Sequence, residues 1–166
     1  MDSIFLRRSI RRYKDKPVEK SKIEGLLRAA MQAPSAGNQQ PWEFIVVENK
    51  ESLKKLSEMS KYSAFLKNSP LVLVVLGNKN RMMFPEYWQQ DLGAAAENIL
   101  LEAVEQGLGG VWLGAAPEND RMDFIRNVFS LPENILPFAL ISIGYGEDEN
   151  RIIERYDESR VHFEKY

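Results

Sequence analysis

The chain has 166 residues, of which 44% are hydrophobic and 28% charged, a composition typical of one folded domain rather than a disordered chain or two large domains. Its 22 Lys and Arg against 24 Asp and Glu give a net charge of −2, which gives no reason to expect nucleic acid or an anionic membrane as a partner. There is no cysteine and a single histidine, His162, which excludes disulfides, thiolate chemistry and Cys/His metal sites. The longest apolar run, residues 71–76, is too short to cross a membrane. No signal-peptide hydrophobic region follows the arginine-rich start, so we expect a cytoplasmic protein.

The spacing of apolar residues predicts helices and strands along one domain that covers residues 1–166. In chain order we expect a helix over 18–33 that Pro34 ends, a strand over 42–47, a short helix over 51–60, another over 62–68, a strand over 71–76, a long helix over 85–108, a strand over 110–115, a helix over 120–129 and a last strand over 138–145. The uninterrupted apolar run at 71–76 is typical of a strand covered on both faces, so we place it centrally. Small residues at 93–96 would let a second helix approach the long helix, which is a candidate subunit interface.

The densest positive charge is the segment 7–12, Arg-Arg-Ser-Ile-Arg-Arg. Guanidinium groups offer forked donors that match phosphate oxygens, and a serine hydroxyl can complete such a site. The segment therefore suits a phosphorylated small ligand. The alternative is a solvated basic helix end that neutralises its own dipole.

Two further segments combine small residues with groups that could contact a flat ligand. Residues 33–42 hold small residues beside three side-chain amides, which suits recognition of a heterocycle, although an ordinary loop would have the same composition. Residues 109–117 place glycines at the end of a predicted strand, where main-chain N–H groups can face a ligand. Neither a G-x-G-x-x-G fingerprint nor a P-loop is present.

Side chains for acid–base catalysis are scarce. Asp91 and Glu97 are too far apart on the predicted helix to work as a pair, and Glu102 with Glu105 looks like exposed helix charge. A single histidine near a terminus is more often a surface residue than a catalytic one. We therefore assign His162 no role and do not expect a paired-carboxylate hydrolase.

Five motifs occur in an order that resembles the FMN-dependent nitroreductase family, over about residue 4 to Tyr166. They are Arg-Arg-Ser-Ile-Arg-Arg-Tyr at 7–13, Ala-Pro-Ser-Ala-Gly-Asn-Gln-Gln-Pro-Trp at 33–42, Gln-Asp-Leu-Gly-Ala-Ala-Ala-Glu-Asn-Ile-Leu-Leu at 90–101, Gly-Val-Trp-Leu-Gly-Ala at 110–115 and Asp-Glu-Ser-Arg-Val-His at 157–162. The resemblance implies an α+β fold with a central, mostly antiparallel sheet flanked by helices. It also implies an intertwined homodimer with FMN bound between the subunits and a C-terminal segment, 151–166, that packs on the partner.

The resemblance also implies a function and a set of site residues. NAD(P)H would deliver hydride to flavin N5, and a nitroaromatic or quinone would then take two electrons in the same place, with ping-pong kinetics. The cofactor is expected to contact the residues that match the family's motifs: Arg7, Arg8, Ser9, Arg11, Pro34, Ser35, Ala36, Asn38, Gln39, Leu113, Gly114, Ala115 and Arg160. Of these, Arg7, Ser9 and Arg160 would hold the phosphate, Arg11 would face the pyrimidine edge of the ring, and residues 34–39 would come from the other subunit. No metal and no catalytic side chain are implied, because the flavin supplies the redox chemistry.

Two alternatives stay open. The same arginines could hold a flavin or nucleotide in a regulatory module without turnover. Alternatively, the chain could be a specialised member of the superfamily, such as a reductive dehalogenase, with a narrow physiological substrate.

Overall fold

The computed structural model describes residues 2–148 and 151–166. Four strands form one sheet: β1 (Trp42–Val47), β2 (Leu71–Asn78), β3 (Gly109–Gly114) and β4 (Ile135–Gly144). Their spatial order is β1-β2-β4-β3, and every neighbouring pair is antiparallel. The predicted antiparallel α+β architecture is confirmed, and the strand that begins at Leu71 is central as expected.

Helices cover both faces of this sheet. They are α1 (Ser3–Leu6), α2 (Lys20–Met31), α3 (Lys50–Leu56), α4 (Trp88–Glu105) and α5 (Asn119–Phe129), with short 3₁₀ turns at Ala36–Asn38, Ala64–Asn68, Lys79–Arg81, Pro85–Tyr87 and Glu158–Arg160. Alternate residues of β2 point to opposite faces. Leu73 lies in a core with α2 and α4, whereas Val74 lies in a second core with α3 and α5. Within the described residues, no helix is long and apolar enough to cross a membrane.

Several element boundaries differ from the sequence prediction. The first long helix ends at Met31, before Pro34, and the region predicted as one helix over 85–108 is a 3₁₀ turn followed by α4. The predicted helix over 62–68 is a 3₁₀ turn. The last strand begins three residues early, at Ile135, and includes Pro137, because the pairing register between β2 and β4 shifts beside that proline.

Two of the small residues of α4 pack inside the chain's own core. Ala95 and Ala96 are completely buried in the core that the chain forms by itself, against the sheet and α2. They therefore let α4 lie close to the sheet and to α2 of the same chain, and the prediction that this stretch of α4 is a subunit interface stays a prediction. Gly93 and Ala94 are only partly buried.

The two ends of the chain behave differently. Ile10 N–H donates to the Gly110 carbonyl (3.0 Å) and Lys14 N–H donates to the Tyr145 carbonyl (2.8 Å), so the N-terminal segment is attached to the start of β3 and the end of β4. Residues 151–166, by contrast, are exposed along their whole length, with the side chain of Phe163 85% exposed.

Candidate functional site

A cleft of about 430 Å³ lies at the end of β3. Its lining residues come from the N-terminal segment, the turn after α3, strand β3 and the start of α5: Arg11, Met59, Ser60, Tyr62, Trp112, Leu113, Gly114 and Arg121. Ser9 pairs with Gly110 in parallel, so the chain after Ser9 runs in the same direction as β3 and brings Arg11 toward the end of that strand. The structure thus places three predicted residues, Arg11, Leu113 and Gly114, in one cleft of a size typical of small-molecule sites.

Main-chain atoms form part of the wall of this cleft. A Cβ added to Gly114 would meet only the Ala116 carbonyl oxygen, 3.8 Å away, so a side chain there would enter open space rather than the fold. Arg121 Nη1 donates to the Gly114 carbonyl (3.1 Å). Ala115, the third predicted residue of this segment, is fully buried, and its N–H donates to the Phe138 carbonyl (2.9 Å).

The guanidinium of Arg8 has donors that the described residues do not use. Its Nη1 donates to the Arg7 carbonyl (2.5 Å), but Nε and Nη2 are buried and meet no hydrogen-bond partner within residues 2–148 and 151–166. Desolvation, followed by the neighbouring cations Arg155 and Arg7, lowers the pKa of Arg8. Because buried donors without an acceptor are unfavourable, this guanidinium is suited to an anionic ligand.

Arg7 and Ser9 flank Arg8 in this motif. Arg7 Nε lies 3.4 Å from Glu97 Oε1 on α4, which anchors this arginine to the long helix. Ser9 is exposed, so its hydroxyl is available beside the guanidiniums.

The predicted residues between α2 and β1 form a separate tight loop. Gly37, Asn38 and Gln40 all have left-handed backbones, with φ of 55°, 56° and 48°, and the Ser35 hydroxyl oxygen accepts from the Gln40 N–H (3.0 Å). Pro34, Ser35, Ala36 and Asn38 are exposed or partly exposed, whereas Gln39 is buried. None of these residues belongs to the lining of the cleft at β3.

Arg160 also lies outside that cleft in the single chain. It is strongly exposed, and its Nε lies 3.0 Å from Asp157 Oδ2. Hydrogen bonds from Ser159, followed by that from Arg160, hold the pKa of Asp157 below its usual value. His162, to which the sequence assigns no role, lies beside Tyr166, with ring centroids 4.4 Å apart.

A charged cluster fixes the chain between the arginine motif and α2. Tyr145 Oη donates to both carboxylate oxygens of Glu19 (2.9 and 2.7 Å), and Lys16 Nζ lies 3.4 Å from Glu19 Oε1. The Tyr145 hydrogen bond is the main cause that lowers the pKa of Glu19 to about 2. The ionised carboxylate therefore helps hold the N-terminal segment against the end of β4.

Sequence reasoning missed several residues of the cleft. Ser60 and Tyr62 come from an irregular turn without a recognisable motif, and Arg121 comes from the first turn of α5. A signal for Arg121 was available, because α5 begins only a few residues after β3 and its first turn must therefore lie near the end of that strand.

The fold is α+β with a cleft of the size typical of small-molecule sites, and comparison with known proteins identifies the family. A model of the nitroreductase family matches residues 4–74 and 57–145. An Archaeoglobus fulgidus protein, provisionally named NADH dehydrogenase/NAD(P)H nitroreductase, is 45% identical over 98% of this chain and 96% of its own length. The chain belongs to the nitroreductase family.

Solved structures agree with this assignment. A Clostridium acetobutylicum protein provisionally named NADH oxidase superposes with a TM-score of 0.97 at 57% identity, covering 99% of this chain and 100% of the other. An FMN-dependent nitroreductase from Clostridium difficile superposes with a TM-score of 0.90 at 37% identity and covers 98% of each chain. These similarities extend over essentially the whole chain.

Proposed function

We propose that this protein is an FMN-dependent NAD(P)H oxidoreductase that passes two electrons to a nitroaromatic or quinone-type acceptor. The observation that carries the proposal is the Arg8 guanidinium, whose two buried donors lack an acceptor among the described residues. This group stands in the motif that leads directly to Arg11 in the cleft at β3. A ligand with an anionic group at one end and a flat ring at the other matches that arrangement.

The residues present fit the two ends of FMN. Arg7, Arg8 and Ser9 supply forked and hydroxyl donors suited to the phosphate, and Arg160 would join them from the C-terminal segment. Among the described lining residues the cleft has two cations, Arg11 and Arg121, and no carboxylate. It therefore favours the electron-rich, oxygen-bearing edge of the ring.

The remaining predicted residues have roles around the ring. Arg11 would stabilise negative charge at the pyrimidine edge, and the main chain at Leu113, Gly114 and Ala115 would lie beside the ring, where Gly114 leaves room for it. Pro34, Ser35, Ala36, Asn38 and Gln39 would contact the flavin of the paired subunit. When bound, FMN would supply the hydride and two-electron chemistry between NAD(P)H and the acceptor, so ping-pong kinetics are expected and the chain need not provide a nucleophile.

A homodimer is part of this proposal. Tyr156 and Phe163 in the C-terminal segment are 71% and 85% exposed, although apolar side chains of this size are usually covered. Phe5 near the N-terminus and Met83 before α4 are also exposed, by 53% and 68%. A second copy that covers these residues would also bring residues 34–39 to a flavin. A cytoplasmic location stays a prediction.

Anaerobic spectroscopy of the purified protein tests the proposal. The protein should bind added FMN, the bound flavin should bleach with NADH or NADPH, and a nitroaromatic or quinone should restore the yellow colour. Failure to bind FMN would refute the proposal. Bound flavin that never bleaches would favour a regulatory module, and bleaching without reoxidation by either acceptor would favour a specialised member such as a reductive dehalogenase.

A further inference from the structure

Asp91 is a buried carboxylate that the proposed chemistry does not use. It lies in the first turn of α4 and is only 4% exposed. Its Oδ1 accepts from the Ala36 N–H (2.9 Å) and its Oδ2 accepts from Gln39 Nε2 (2.6 Å). No lysine or arginine within residues 2–148 and 151–166 forms a salt bridge with it. Since a buried carboxylate is costly unless it is hydrogen-bonded, its two partners on one loop indicate a specific structural task.

Gln39 extends this contact to a second segment. Its Nε2 also donates to the Phe84 carbonyl (3.1 Å), and its Oε1 accepts from the Phe84 N–H (2.9 Å). The amide orientation is therefore fixed, with the NH₂ group toward Asp91 and the oxygen toward the Phe84 N–H. In addition, the Phe84 ring lies so close to Gly37 that an added Cβ would collide with it.

The loop that receives these contacts needs an external anchor. Asn38 and Gln40 adopt left-handed backbones, which are unfavourable for residues with side chains. Hydrogen bonds to Asp91 from Ala36 and Gln39 lie on either side of Asn38 and attach this part of the loop to α4. The shape of the loop thus depends on a carboxylate that is not part of it.

We propose that Asp91 is a positioning residue that, directly and through Gln39, holds residues 34–39 in the shape that contacts the FMN of the paired subunit. This inference rests on the proposed function. Asp91 itself does not touch the cofactor and takes no part in electron transfer.

We call the contacts of Asp91 with Ala36 and Gln39 the Asp91 anchor. The directions of their hydrogen bonds predict which substitutions break it. Asp91→Asn would turn an NH₂ group toward the Gln39 NH₂ group, and Gln39 cannot reverse its amide without losing its contacts to Phe84. Gln39→Glu would place two carboxylates face to face. The double variant Q39E/D91N restores a donor opposite an acceptor and keeps the acceptors for the Ala36 and Phe84 N–H groups. The carboxylate introduced at position 39 faces the Phe84 carbonyl without a donor, as it does in Q39E alone, so the comparison with Q39E isolates the contact to residue 91.

A matched control removes the same charge near the same helix. Glu86 is exposed in the 3₁₀ turn just before α4, so Glu86→Gln changes the charge at the helix start without touching the Asp91 anchor. A general electrostatic effect would be similar in E86Q and D91N.

The test measures FMN affinity by fluorescence titration, together with hydrogen exchange at the Ala36 and Gln40 amides of the FMN-free protein. We expect D91N and Q39E each to weaken FMN binding about tenfold or more, the size of one lost charge-assisted hydrogen bond. Both should also exchange faster at Ala36. The double variant should bind FMN more tightly and exchange more slowly at Ala36 than Q39E, and E86Q should match the wild type. Should D91N fail to fold, the comparison of Q39E with the double variant provides the same rescue test.

Three outcomes would overturn the inference: wild-type FMN affinity in D91N, equal losses in D91N and E86Q, or a double variant that binds no better than Q39E. Failure of the proposed function is a different result, because the wild-type protein would then bind no FMN. The claim that the anchor serves a flavin would fall with it, while hydrogen exchange would still measure the anchor itself.

Discussion

Replacing Gly114 with alanine should make the protein more stable and its flavin binding weaker. Gly114 lies at the end of β3, its φ is not in the left-handed region, and an added Cβ would meet only the Ala116 carbonyl oxygen at 3.8 Å. Because glycine costs about 0.5–1 kcal/mol relative to alanine in a strand, Gly114→Ala should raise the free energy of unfolding by that amount. For a chain of this size the corresponding rise in melting temperature is about 1–4 °C.

The same methyl group enters the cleft that we assign to the flavin ring. Overpacking of a close contact costs about 1–3 kcal/mol, which corresponds to a roughly 5- to 150-fold loss of FMN affinity. Gly114→Val should lose more affinity than Gly114→Ala. Thermal melting of the FMN-free variants and FMN titration of each measure the two effects separately. Wild-type affinity in both variants, or a lower melting temperature in Gly114→Ala, would refute this description of the cleft.

Three other predictions concern the arginine motif and the chain ends. Arg8→Gln should weaken FMN binding strongly. Arg12→Gln should not, because it removes a guanidinium that already pairs with Asp148 at 2.5 Å. If both variants lose the same affinity in an FMN titration, only the overall charge matters and the prediction is wrong. Because the folded-state pKa of Glu19 is lowered to about 2, its contribution to stability is present above its usual pKa and is lost as the pH falls from about 4.5 toward 2. Glu19→Gln should therefore be less stable than the wild type at neutral pH, with the difference shrinking over that range in urea denaturation, and a pH-independent difference would contradict the assignment. Deletion of residues 151–166 should yield a folded monomer, as measured by analytical ultracentrifugation, that binds FMN weakly in a titration. A flavin-loaded dimer would show that the C-terminal segment is dispensable.

The sheet could be predicted well because its strands have clear local patterns. Strand β1 begins and ends at the predicted residues, and the continuous apolar run at the start of β2 indicated a central strand covered on both faces. Pro137 misled the prediction of β4, since a proline is compatible with a strand only where the pairing is irregular. That irregularity depends on β2, a partner distant in the sequence.

The candidate site could be predicted only in part. The arginine motif and the glycines of β3 carry the resemblance to the nitroreductase family, and three of the residues taken from it, Arg11, Leu113 and Gly114, line one cleft. The role of Asp91 was missed, although it stands four residues before Ala95 on the buried side of α4, where a carboxylate is unusual. Its partners lie 52 and 55 residues away in the sequence, so spacing alone could not identify them.

The most direct test of the account is the visible absorption spectrum of the purified protein with one equivalent of FMN, recorded without oxygen before and after addition of NADH or NADPH. The account predicts that the flavin stays with the protein through gel filtration and that its visible absorption is lost on addition of the nicotinamide, because a flavin-based oxidoreductase takes hydride from that donor. A colourless protein after gel filtration, with all FMN in the small-molecule fraction, would contradict the central claim.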